Sequence, residues 1–148
     1  DEKRCKIWAE AAGGKEMVFH RAFDIMKNSP EEALPRLAEI GFRRILTSGR
    51  ELSAPAGADM IRRCVEVGAV EVLAGGGVRG GVVGELIRRT GCRQVHFTCH
   101  AKVSDTSVRD AKLSFGLPNS PHDQEKFDII DKEKLTELIR LIRTLTLS

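Results

Sequence analysis

Four apolar, β-prone runs recur at a near-constant interval in this chain: EMVFHRAFD, RRILTSG, VEVLAGGGV and RQVHFTCHA. Their centres, near Phe19, Ile45, Val72 and His96, are 26, 27 and 24 residues apart. A two-residue hairpin cannot fill such an interval, but one helix with its turns can. That is the strand–helix–strand rhythm of a parallel α/β sheet. The runs do not alternate cleanly between apolar and polar residues, so the sheet is expected to be covered on both faces.

The intervening segments carry helix signals. Ser29-Pro30-Glu31-Glu32 offers an N-cap, a proline at the first helical position and a glutamate at the third, a capping box. Gly41 should end that helix, and Pro35 inside it should weaken it by about 3 kcal/mol. Further helices are expected over Lys3–Ala12, Ala58–Val67 closed by Gly68, Gly80–Arg89 before Gly91, and Lys132–Leu145 capped by Asp131. Residues 101–128 break the rhythm. They are polar, include LPNSPHD, and read as a long loop that is functional or mobile.

Length and charge narrow the function. The 148 residues suit one domain, and a net charge of +3 without a long basic run gives no reason to expect nucleic acid as a partner. No apolar stretch nears the roughly 20 residues of a membrane helix, and the charged start has no apolar leader core. A cytoplasmic location is expected, with the nucleus as the alternative. Cys5, Cys64, Cys92 and Cys99 are scattered without a C-x-x-C pair, which argues against a zinc module or a disulfide scaffold.

The candidate site lies where the strands end. Ligands of parallel α/β folds sit at the carboxyl ends of the strands. There this chain places His20, Arg21 and Asp24, then Thr47, Ser48 and Gly49, then Gly75, Gly76 and Gly77, then His96 to His100. Each has a structural reading when taken alone: Asp24 could cap a turn, Arg21 could pair with Asp24, and three glycines could form a tight turn. Convergence on one rim favours a site. The first strand should stop near Ala22, bringing Arg21 and Asp24 to the same mouth. His96, Cys99 and His100 offer imidazole and thiol to a soft metal, but on a continuous strand Cys99 would face away from the two histidines.

The motifs FHRAFD, ILTSG, LAGGGV and VHFTCHA, in this order and spacing, resemble the CutC family, named for copper homeostasis. The resemblance implies a (β/α)8 barrel of which this chain matches the second half, strands five to eight. The family's first four strands, with their cysteine-bearing motifs, have no counterpart here, so a half-barrel with open edges is expected to pair with another copy or to be a fragment of a longer chain. The resemblance carries site roles to His20, Arg21, Asp24, Thr47, Ser48, Gly49, Gly75, Gly76, Gly77 and His96. Phe97, Thr98 and Cys99 stand where relatives usually have small residues. Two functions follow as expectations. One is a Cu(I)-binding role in copper homeostasis, with Cys99 and His96 as ligands. The other is a barrel enzyme for a small phosphate- or carboxylate-bearing substrate, with His20 as acid or base, Asp24 orienting it and Arg21 clamping the anion.

Overall fold

The computed structural model describes residues 1–105, 107 and 126–146. Its elements follow the expected rhythm: α1 (Glu2–Ala11), β1 (Met17–Phe19), a 3-10 helix (Arg21–Ile25), α2 (Pro30–Ile40), β2 (Phe42–Thr47), α3 (Ala58–Val67), β3 (Glu71–Gly75), α4 (Gly80–Thr90) and β4 (Gln94–His96). Then come β5 (His100–Ser104), β6 (Lys126–Ile130) and α5 (Lys132–Thr146). The four central strands pair in parallel in the order β1-β2-β3-β4. Right-handed crossovers between sequential neighbours put every connecting helix on the same face of the sheet.

The core lies between that face and the helices. Ile45, Val72 and Ala74 pack there against Leu34, Leu37, Ile61, Cys64, Val83 and Leu86, all buried. The capping box forms in full: the Ser29 hydroxyl accepts from the Glu32 N–H, and the Glu32 carboxylate accepts from the Ser29 N–H. With Leu34 and Leu37 buried, α2 runs on through Pro35.

The opposite face departs from the expectation of burial on both sides. It presents Val18 (43% exposed), Leu46 and Leu73, and a polar row in which Arg44 donates to Glu71 (2.7 Å) and Gln94 donates to the same Glu71 oxygen (2.5 Å). The sequence alternation was blurred because this face mixes leucines with charged residues.

A second correction concerns residues 101–128. Their ends are strands: β5 and β6 form an antiparallel ribbon from His100 opposite Ile130 to Ser104 opposite Lys126. Pro118, Pro121 and His122, on which the loop reading rested, lie outside the described residues. Among the described residues no helix is long and apolar enough to cross a membrane.

Candidate functional site at the carboxyl ends of the strands

β1 stops at Phe19, three residues earlier than Ala22. The reason is local: the His20 ring turns back, and its Nδ1 accepts the Ala22 N–H at 2.9 Å, capping a 3-10 helix. The tight turn sets Arg21 and Asp24 on one side, where Arg21 Nε donates to Asp24 Oδ2 at 2.8 Å. The His20 imidazole, stacked on Phe19, bonds its own backbone and not Asp24. Asp24 as the orienting partner of His20 is therefore replaced by a different arrangement.

Asp24 is the hub of the rim. Its side chain is 8% exposed. Oδ1 accepts the Thr47 hydroxyl and the Arg50 N–H (3.2 Å), and Oδ2 accepts Arg21 Nε and the Ser48 N–H (3.1 Å). Thr47 and Ser48 are fully buried, and their hydroxyls serve Asp24, Arg21 and the Glu51 carbonyl. Gly49, with φ 73°, lies against the Gly57 backbone. These three residues, expected as anion contacts, sit beneath the rim and shape the segment between β2 and α3. Arg50, also left-handed at φ 64°, lays its guanidinium over Phe23 and bonds the Asn28 carbonyl at 2.5 Å.

Burial pushes the Asp24 carboxyl up, but the Thr47 hydroxyl, the Arg21 guanidinium and the Ser48 and Arg50 N–H groups outweigh it, and the carboxyl is held below its ordinary value. A carboxyl lowered on folding stabilises the fold above its unfolded value of about 3.9, and that stabilisation is lost as pH falls through the lower folded value. Denaturant midpoints measured from about pH 5 downwards should fall for the natural chain. Asp24→Asn should lower the midpoint at neutral pH and flatten that acid slope. An unchanged slope would remove Asp24 as its source.

Arg21 joins this hub to a cavity. Nη2 donates to the Ser48 hydroxyl oxygen at 2.6 Å, while Nη1 has no partner among the described residues. Nη1 lies on the Gly76 side, 3.7 Å from where a Cβ on Gly76 would stand. A cavity of about 420 Å³ opens there, lined by Arg21, Gly75, Gly76, Gly77, Arg79 and His96 among others. Gly75 keeps the floor of this cavity open, since a side chain there would displace the tip of Leu46 and crowd His96. A Cβ there would lie 2.6 Å from Leu46 Cδ1 and 3.2 Å from His96 Cβ. The Gly76 carbonyl accepts the Ala54 N–H at 2.8 Å, tying the glycine turn to the β2–α3 segment. A larger concavity of about 910 Å³ lies at the opposite, amino end of the strands, beside Lys15, Glu16, Arg43 and Glu71. It shares none of the convergent rim residues.

The metal candidates separate. β4 ends at His96 and β5 begins at His100, so the intervening turn frees Cys99 from strand alternation. His96 nevertheless lines the Arg21 cavity, while Cys99 lines a neighbouring one of about 280 Å³ beside His100 and Lys134. Among the described residues no three His, Cys, Asp or Glu side chains gather as a metal site. Burial raises the Cys64 thiol to about 12 and also raises Cys92, which makes both poor thiolate donors.

The profile of the CutC family matches residues 1–101, which include every rim residue from His20 to Cys99. The chain belongs to the CutC family. A Treponema denticola member, named family protein CutC, is 34% identical over 148 residues, 98% of this chain and 58% of the relative. One from Caulobacter vibrioides is 42% identical over 119 residues, 79% and 48% of the two chains. A crystal structure from Streptococcus agalactiae, provisionally named copper homeostasis protein CutC, aligns with TM-score 0.59 at 30% identity, covering 65% of this chain and 48% of that one. The chain thus spans about half the length of the CutC relatives it matches. Arg79, two positions after the glycine triplet, was missed from sequence. Its signal was its place directly before a glycine-started helix.

Proposed function

We propose that this chain serves copper homeostasis, the role for which the Streptococcus agalactiae CutC is provisionally named, and that its working part is an anion-binding mouth at the carboxyl ends of β1–β4. The observation that carries this reading is Arg21: its guanidinium is braced by Asp24 and Ser48, and its remaining nitrogen is turned to the cavity closed by Gly75, Gly76 and Gly77. A braced guanidinium loses little freedom on meeting an oxyanion and suits it better than a soft cation. For an enzyme on this site, His96, which lines the cavity, is the nearer acid or base; His20 keeps only Nε2 for that use.

The parallel β1–β4 sheet, helices on one face and a mixed polar face opposite, supports its being half of an eight-stranded barrel. In that arrangement the Arg44–Glu71–Gln94 row faces the barrel interior, and β1 and β4 pair with further strands, of a second copy or of a longer chain. A Cu(I) role through Cys99 and His96 is the second reading, favoured by a partly exposed thiol three residues from an imidazole at the same rim.

Calorimetry with inorganic phosphate and, under reducing conditions, with Cu(I) separates the two. Phosphate should bind, and Arg21→Met should weaken it by roughly tenfold or more. Cu(I) should bind weakly and disappear with Cys99→Ser. A tight, stoichiometric Cu(I) site surviving Cys99→Ser, with no phosphate binding, would overturn the proposal.

A further inference from the structure

Most arginines of this chain are engaged: Arg44 with Glu71, Arg63 with Glu31, Arg88 with Glu85, Arg89 with Asp59. Arg79 is different. It is exposed, has extended backbone (φ −148°, ψ 167°) directly before α4, and its side chain has neither an ion pair nor a hydrogen bond among the described residues. It lines the same cavity as Arg21. The two residues border that cavity from different elements, Arg21 from the turn after β1 and Arg79 from the turn after β3, and Arg79 also borders the neighbouring cavity. No carboxylate lines the cavity: Asp24 pairs with Arg21 from behind it, and Arg79 has no ion pair among the described residues. Gly76 and Gly77, at φ 97° and 70°, leave the backbone between them without side chains. The unpaired Arg79 charge, beside the free edge of the Asp24-paired Arg21, leaves the concavity net positive and favours a dianion over a monoanion.

Building on the anion-binding reading, we propose that the cavity is selective for a dianionic phosphate monoester group over a monoanion, and that Arg79 supplies the selectivity. Arg21 is the fixed element, since Asp24 and Ser48 hold it whether or not a ligand is present. Arg79 is the adaptable one, and closes on the second charge.

The test compares methyl phosphate, a dianion at pH 8, with dimethyl phosphate, a monoanion of nearly the same shape, by calorimetry. The natural chain should bind methyl phosphate at least about tenfold more tightly. Arg79→Met should bring the two affinities within about twofold of each other, mainly by weakening the dianion, with the thermal midpoint unchanged because Arg79 holds no partner. Arg79→Lys, which keeps the charge, should restore part of the preference. Equal binding of both esters by the natural chain, or an undiminished preference in Arg79→Met, would overturn the dianion proposal and leave the anion-binding reading standing. Failure of both esters to bind would remove both readings.

Discussion

Gly49→Ala should be the most damaging single-methyl change in the chain, costing about 4 kcal/mol and leaving little folded protein. Two independent effects combine. The residue sits at φ 73°, where alanine is strained by roughly 1–2 kcal/mol. Its new Cβ would also stand 2.1 Å from the Gly57 carbonyl oxygen and 2.7 Å from its carbon. That neighbour is backbone, anchored by the Gly57 N–H to Ser53 carbonyl bond and by the start of α3, so it cannot step aside as a side chain would. Gly80 is the control. It lies at the start of α4 with no heavy atom within 4 Å of a built Cβ, and Gly80→Ala should be neutral or stabilising by up to about 1 kcal/mol. Urea midpoints of the two variants check this. A Gly49→Ala variant within about 1 kcal/mol of the natural chain would show that the β2–α3 segment does not hold its described contact.

Asp24→Ala should cost about 3 kcal/mol at neutral pH. It would strand the buried Thr47 hydroxyl, the Ser48 and Arg50 N–H groups and one edge of Arg21, all of which converge on the carboxylate. Asp24→Asn should cost less, because one carbonyl oxygen remains an acceptor. The same substitutions should weaken phosphate binding as well, since Arg21 loses its brace and must be ordered by the ligand. A variant with intact stability and lost phosphate binding would instead mean that Asp24 acts on the ligand directly.

The sequence made the frame legible because spacing is a long-range signal. Four strand runs at intervals of 24 to 27 residues, with Ser29, Gly41, Gly68 and Gly91 as helix punctuation, specify the parallel units to within about three residues at their ends. The rim was legible as a set of residues but not as roles. Periodicity says that Thr47 and Ser48 end a strand; it does not say that the chain after them folds back until Gly49 meets Gly57 and both hydroxyls turn down to Asp24. His20 illustrates the same limit. Its ring was free to aim at Asp24 until the 3-10 turn, a matter of one hydrogen bond to Ala22, took it away. The ribbon of β5 and β6 was hidden because its strands are short, charged and set 22 residues apart, as between Ser104 and Lys126. The uncovered sheet face was hidden because Arg44 and Glu71 neutralise each other only in three dimensions.

The central claim, that the mouth ringed by Arg21, the glycine turn and His96 takes an anion, is tested most directly by mapping. Amide shifts of the isotope-labelled chain are followed as inorganic phosphate is added at constant ionic strength. Saturable shifts should concentrate at Arg21, Gly75 to Gly77, Arg79, Gly80 and His96 to Thr98, and should be absent around Lys15, Arg43 and Gly68 at the other end of the strands. Shifts centred on that opposite end, or none that saturate, would contradict the account.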